Sequence, residues 1–217
     1  MDVRCPSLRM VNPLLHSFFQ VLNMLSHLNK YHIILASASP RRRQLLSGLG
    51  IDFEVRTLAG IDESYPDHLQ GEAIAAYISK AKAEAYRATL APNDLVITAD
   101  TIVSVDGNVL GKPANEAGAH QMLQLLSGRT HEVVTGVTLM TKSQQQTFTA
   151  TTSVTFAPLT EAEITHYVTH YRPLDKAGAY GIQEWIGMIA VESIQGSYFN
   201  VMGLPVQRLY KALRDWR

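Results

Sequence analysis

The sequence predicts a mixed α/β fold, a twisted sheet with flanking helices. Three observations carry that expectation. Apolar runs of strand length, Ile33–Leu35 and Leu95–Ala99, alternate with longer segments of helical spacing. Asp106-Gly107 stands between two extended segments as a hairpin signal. Two β-rich stretches, His131–Thr141 and Thr147–Ala157, follow one another across a polar turn at Ser143–Gln146. Strands joined both by helices and by tight turns belong to a mixed sheet.

Residues 1–29 differ from the rest. Leu14, Leu15, Phe18, Phe19, Val21, Leu22 and Leu25 have helical spacing, but Asn12, His16, Gln20 and Asn23 interrupt them. A signal peptide needs an unbroken apolar core and a small-residue cleavage site, and neither is there. The segment reads as an extension outside the core, with Met24 as an alternative first residue. Residues 30–217 read as the folded domain.

Ile33–Leu46 comes next and organises the chain. Ile33–Leu35 is a buried strand, and Ala36-Ser37-Ala38-Ser39 is a turn of small residues. Ser39 can cap a helix with Pro40 at its first position. Leu45, Leu46 and Leu49 form that helix's apolar face, and Gly48 and Gly50 suit its end. Phe53–Arg56 alternates as a second strand. Gly71–Leu90 reads as a helix with Ile74, Tyr77, Ile78, Ala81 and Ala85 inward, and Lys80, Lys82 and Glu84 largely off that face.

Leu95–Ala99 is expected to deliver Asp100-Thr101 at its carboxyl end. Ile102–Val105 and Asn108–Leu110 form the hairpin. A helix over about Asn115–Ser127 turns Ala119, Met122, Leu123 and Leu126 inward. Thr160 and Glu163 make a capping box for a helix to Tyr171. Asp175–Gln183, DKAGAYGIQ, is a shaped loop. Trp185–Ile194 reads as a strand, Gly196–Asn200 as a turn, and Leu204–Trp216 as the last helix.

A strand, a small-residue loop and a helix N-terminus make an anion site, because free N–H groups and the dipole point into the loop. Ser37 and Ser39 add hydroxyls; Arg41, Arg42 and Arg43 add charge in a form that matches phosphate oxygens. Cations at a helix N-terminus oppose the dipole, so three in a row call for a reason. Asp100 can hold a divalent cation or accept a proton, or it can cap a turn. Glu63 beside Asp62 is a second acid. Lys112 lies between Gly111 and Pro113 in a stiff loop. Lys82 reaches the same pocket or lies on a solvated face. Gln183 offers a two-sided amide that can read a base edge. His166 and His170 have metal-ligand spacing but no acidic third partner nearby in sequence. Together these residues suit metal-assisted attack on a phosphoryl group.

Composition narrows the classes. With 19 basic and 19 acidic residues the formal net charge is zero, which argues against a bulk nucleic-acid binder. Cys5 is the single cysteine, so no internal disulfide, cysteine zinc site or redox pair can form, in keeping with a reducing cytoplasm. No apolar run reaches membrane-span length. GxGxxG, GxxxxGK[ST] and GxSxG patterns are all missing.

LASASPRR at Leu35–Arg42, ADTIV at Ala99–Val103, GKP at Gly111–Pro113 and LSGRTHEVVTGV at Leu126–Val137 form one ordered set. DKAGAYGIQ at Asp175–Gln183 and GSYFNVMGLP at Gly196–Pro205 complete it. In these six motifs the chain resembles the Maf family of nucleoside triphosphate pyrophosphatases, also called septum formation inhibitor proteins. The resemblance covers about residues 31–213. It implies an α/β fold similar to that of the inosine triphosphate pyrophosphatases, with a cleft between two lobes. It implies hydrolysis of a nucleoside triphosphate to the monophosphate and pyrophosphate, with Mg²⁺ or Mn²⁺. It gives Asp100 the proton-acceptor position, and Arg41, Thr101 and Gln183 the positions tied to base specificity. Ser37, Arg42, Glu63, Lys82 and Lys112 fall where the family lines its phosphate and metal site. Thr101 after the acid and Gln183 after the loop resemble the dTTP and UTP subfamily; another prefers 7-methyl-GTP. Glu184-Trp185 departs from the family, where Gly is common. A homodimer is compatible with the resemblance. The alternative it leaves is a nucleotide-binding regulator of septation.

Overall fold

Three apolar residues, Ile33, Ile34 and Leu35, give the chain its first strand, β1 (His32–Leu35), and all three are buried. The structure, a computed structural model, describes residues 24–217. The helical spacing expected over 14–22 lies outside the described residues. Before β1, Ser26–Lys30 form a 3₁₀ turn. Leu25 and Leu28 from this segment are buried in the same core cluster as β1, and His27 Nε2 lies 2.9 Å from the Leu213 carbonyl oxygen.

Ser39 caps α1 (Pro40–Ser47) as the sequence predicts, and its Oγ accepts from the Arg42 N–H. Leu45 and Leu46 are buried beneath that helix. β2 (Glu54–Val55) is shorter than expected and runs parallel to β1. The next helix, α2 (Glu72–Glu84), is also shorter; Arg87–Thr89 is a separate 3₁₀ turn. Its buried face differs from the expected one. Ile74, Ala75, Ile78, Ser79 and Ala83 are inward, while Tyr77 and Ala85 are exposed. The cause is the partner surface: α2 lies flat on the sheet, so small residues one turn apart set the contact.

β3 (Asp94–Val105) corrects a second expectation. Asp100 and Thr101, expected at the carboxyl end of a strand, are not at its end. Asp100 and Thr101 lie within one long strand, opposite Gly136 and Thr135 of β5 (Thr130–Met140). Between these strands in sequence come β4 (Asn108–Leu110), hairpinned to β3 through Asp106-Gly107, and α3 (Glu116–Leu126), capped by Asn115. A turn at Thr141–Gln144 leads into β6 (Gln145–Phe156), slightly earlier than expected.

α4 (Glu161–Tyr171) has the foreseen capping box. The strand expected over Trp185–Ile194 is instead α5 (Trp185–Ala190) followed by β7 (Val191–Gln195). Ile186 and Ala190, spaced i, i+4, are the buried pair, which is helical spacing. Gly187 lets the turn close, since a Cβ there would stand 1.9 Å from the Ile182 carbonyl oxygen. The turn expected at Gly196–Asn200 holds α6 (Tyr198–Val201), capped by Ser197, and α7 (Val206–Asp215) ends the chain.

The sheet has seven strands in the order β2-β1-β3-β5-β6-β7, with β4 on β3. Side chains alternate along β3 between two faces. On one face Leu95, Ile97 and Ala99 join the cluster under α1 and α7, while Val103 and Val105 join the cluster under α3, α4 and α5. On the other face lies α2, packed against β3 and β5. There the closest approach is at Gly136, where a Cβ would stand 2.2 Å from the Ala75 carbonyl oxygen. No other residue allows α2 that close.

Candidate active site

The site exists because β3 has a gap along one edge. β1 pairs with β3 only as far as Leu35 opposite Ile97, and β4 joins at Val103. From Thr98 to Ile102, β3 has no strand neighbour on that side. A cleft of about 820 Å³ opens there, within the range of small-molecule sites. Ser37, Ser39, Arg41, Arg42, Glu63, Lys82, Asp100, Thr101, Lys112 and Gln183 all line it. Arg43 is exposed and lies outside the lining.

Asp100 and Thr101 are neighbours that point to opposite faces. Asp100 faces α2, where Lys82 Nζ stands 2.6 Å from its Oδ1. The same ammonium is 2.9 Å from Glu63 Oε1. Lys82 is therefore not on a solvated helix face; its side chain is 13% exposed and bridges the two acids. Burial works against the Glu63 carboxylate, yet the hydrogen bond from Lys82 and the charges of Lys82, Lys112 and Arg42 hold its pKa below the ordinary value. Lys112 is exposed at the cleft rim and forms no ion pair among the described residues. Its charge is free to meet a ligand.

Thr101 faces the other way. Its hydroxyl is 2.9 Å from Thr135 Oγ1 and accepts from Arg42 Nη2 at 3.0 Å. Arg42 spends its remaining donors on the gap. Nη1 donates to the Ala99 carbonyl at 2.8 Å, and Nε donates to the Gly203 carbonyl at 2.8 Å. Nη1 also lies 3.5 Å from Ser37 Oγ, which in addition accepts from the Ser39 N–H. Ser37 thus keeps its O–H for donation into the cleft. Burial lowers the Arg42 pKa from its ordinary value, and the Asp100 charge offsets part of this. Such a guanidinium stays charged at neutral pH. Arg41 and Arg42 are both partly buried. Arg41 Nη1 reaches 3.1 Å across to Asp175 Oδ2.

Gln183 closes the far end. Its Oε1 is buried without a protein partner. Sequence reasoning missed Asp175 as the mate of Arg41, and missed Lys176, which is buried, lines the cleft and meets Asp175 and Glu184. Their only signal was a place in the DKAGAYGIQ loop. The carbonyls of Ala99 and Gly203 had no signal at all. His166 and His170 stack with ring centroids 4.3 Å apart, and no cluster of three or more metal-binding side chains occurs among the described residues.

Hydroxyls, a helix N-terminus and cations line the cleft together with two acids that share one ammonium. Fold and cleft together define an α/β protein built to hold and act on a phosphorylated ligand. More particularly, the chain belongs to the family described as Maf-like protein, which residues 32–216 match. A dTTP/UTP pyrophosphatase of Phocaeicola vulgatus is 62% identical over 191 residues, 88% of this chain and 99% of that protein. A dTTP/UTP pyrophosphatase of Bacteroides thetaiotaomicron is 58% identical with the same coverage of both chains. Among solved structures, a nucleoside-triphosphatase (dITP/XTP pyrophosphatase) of Mycobacterium abscessus is similar at 15% identity and a TM-score of 0.38, covering 84% of this chain and 94% of that one.

Proposed function

We propose that this protein hydrolyses nucleoside triphosphates to the monophosphate and pyrophosphate, with dTTP and UTP as its substrates. One observation carries the reading: Lys82 is shared between Asp100 and Glu63 in the same cleft that the Ser37–Arg42 turn lines. The dTTP/UTP pyrophosphatase activity for which relatives 62% and 58% identical are named supports the same substrates.

In this reading Asp100 orients a water and takes its proton. The water oxygen bonds to the α-phosphorus, the α–β anhydride bond breaks, and pyrophosphate leaves with the electron pair. Lys82, Lys112 and Arg41 neutralise the phosphate oxygens, and the hydroxyls of Ser37 and Ser39 donate to them. Thr101 and Gln183 meet the base. Arg42 holds the open edge of β3 and the turn in place.

The donor set fits a hard divalent cation. Asp100 and Glu63 each give one oxygen to Lys82 and keep the other. Two carboxylates, with water and substrate phosphates, are the shell that Mg²⁺ prefers, and no all-protein cage is needed. Asp100 and Glu63 would hold Mg²⁺ or Mn²⁺, which supplies charge neutralisation on the phosphates.

The role is removal of nucleotides from the cytoplasmic pool. No helix among the described residues is long and apolar enough to cross a membrane. A pyrophosphate-release screen over canonical and modified nucleoside triphosphates, with Mg²⁺ or Mn²⁺, tests the reading. dTTP and UTP should lead. Release from none of them would overturn it and favour a regulator that binds without turnover.

A further inference from the structure

The Asp175–Glu184 segment carries a feature that the proposed chemistry does not use. Lys176 is 7% exposed, and burying an ammonium is expensive unless it is paired. Its Nζ lies 2.8 Å from Asp175 Oδ1 and 3.2 Å from Glu184 Oε1. One charge thus ties the two ends of the loop together. The chain of contacts continues both ways. Asp175 Oδ2 takes Arg41 of α1. Glu184 Oε2 accepts from the Tyr167 hydroxyl, which accepts from the Gly181 N–H at 3.1 Å.

The loop so tied is held in an unfavourable shape. Ala179 has φ 58, a left-handed conformation that L-residues rarely adopt. Gly178, φ 67, presses on Val103, which a Cβ would meet at 3.0 Å. Such backbone persists only where its surroundings over-determine it. At the end of the loop is Gln183, which lines the cleft and whose amide oxygen is buried without a partner. A buried ion pair is poor value as a stability device, since apolar packing serves at least as well. Its use here is geometric.

We propose that Lys176 is a positioning residue: by clamping Asp175 to Glu184 it fixes the Gln183 amide at the base end of the cleft and couples that end to Arg41 at the phosphate turn. The inference rests on the nucleoside triphosphate reading above. It makes base discrimination, more than triphosphate chemistry, depend on Lys176.

The test compares UTP with ATP in steady-state kinetics and in titration calorimetry on the full chain. Wild type is measured first: absence of turnover or of pyrimidine preference sinks the substrate reading and leaves the clamp to be judged by binding alone. Lys176→Met should cut the UTP-over-ATP ratio of kcat/KM by about tenfold, mostly through KM for UTP. Lys176→Arg should restore the ratio to near wild type. Asp175→Asn, at an exposed side chain, makes the same test where Lys176→Met does not fold, and should erode the ratio in the same direction. An unchanged ratio, in kinetics or in binding, for Lys176→Met or Asp175→Asn would overturn the proposal. So would a fall in melting temperature with discrimination intact, which is what a purely structural clip would give.

Discussion

Lys82 Nζ stands 2.6 Å from Asp100 Oδ1 and 2.9 Å from Glu63 Oε1, so one ammonium bridges two carboxylates from different elements. That arrangement depends on packing two turns earlier in α2, where Ala75 rests on Gly136. Lys82→Met leaves the two acids facing each other uncompensated. A like charge nearby raises a carboxyl pKa, and Glu63 also loses the partner that holds its pKa down. The acidic limb of the pH–rate profile should therefore move to higher pH, with kcat reduced. A profile whose acidic limb stays in place would separate Glu63 from the reaction.

Arg42 predicts differently from its neighbour. It fills the carbonyls of Ala99 and Gly203, and an unmet buried acceptor costs about 1–3 kcal/mol. For a domain of this size each kcal/mol is worth about 2–4 °C. Arg42→Ala should lose roughly 5–10 °C in melting temperature along with activity. Arg41→Ala, which breaks only the partly exposed pair with Asp175, should keep its melting temperature to within about 2 °C and still bind triphosphate weakly. Equal stability losses in the two variants would refute the assignment of Arg42 as the tether.

His131 makes the fold acid-sensitive. It is 1% exposed, packs edge-on against Phe156 and Tyr180, and has Nε2 2.8 Å from the Tyr180 hydroxyl. Burial pushes its pKa from 6.5 down to about 4. The unfolded chain therefore binds a proton between those values that the folded chain refuses. Stability from this site is complete above pH 6.5 and is lost as pH falls toward 4, by roughly 3 kcal/mol. Urea titrations of wild type and His131→Gln across pH 7 to 4 check this. The variant should start less stable and lose less. Parallel slopes would place the acid response elsewhere.

How much of this was legible varies with what fixes each feature. Ser39, Asn115 and the Thr160–Glu163 box announced their helices because capping is a local contact. Asp100 was found by type, but its place inside β3 was not, because pairing with Gly136 on a distant strand extends the strand through it. Trp185–Ala190 misled through its aromatic and branched residues; the deciding contact is Gly187 against the Ile182 carbonyl. Lys82 was read from its own helix, whereas its direction is set by two acids on other elements. The charge of Arg42 announces a place at the anion turn, whereas its donation to the Ala99 and Gly203 carbonyls is announced by no residue type.

Leu25 and Leu28 bear on where the folded unit begins. Both are buried beside Trp216 and Leu213, and each buried leucine is worth about 1.5–3 kcal/mol. A chain starting at Met24 should melt with the full chain and keep its activity. One starting at Tyr31 should melt roughly 10 °C lower. If removing residues 1–23 costs as much as removing 1–30, the core extends further toward the N-terminus than Leu25.

The general base and the bond broken can be tested together. Asp100→Asn is nearly isosteric, but its amide cannot accept a proton from water at neutral pH and binds a cation weakly. General-base catalysis is worth about 10²–10⁴-fold, so the rate should fall by at least that much. The fold should survive, although the residue is mid-strand, because its backbone pairing with Gly136 is untouched and its side chain faces the cleft. In ¹⁸O-water the label should enter the nucleoside monophosphate, since water attacks the α-phosphorus and pyrophosphate leaves intact. Label in orthophosphate, with a diphosphate product, would mean attack at the γ-phosphorus and a different reaction. Undiminished turnover in Asp100→Asn would move the base to Glu63, the other carboxylate that Lys82 holds in the cleft.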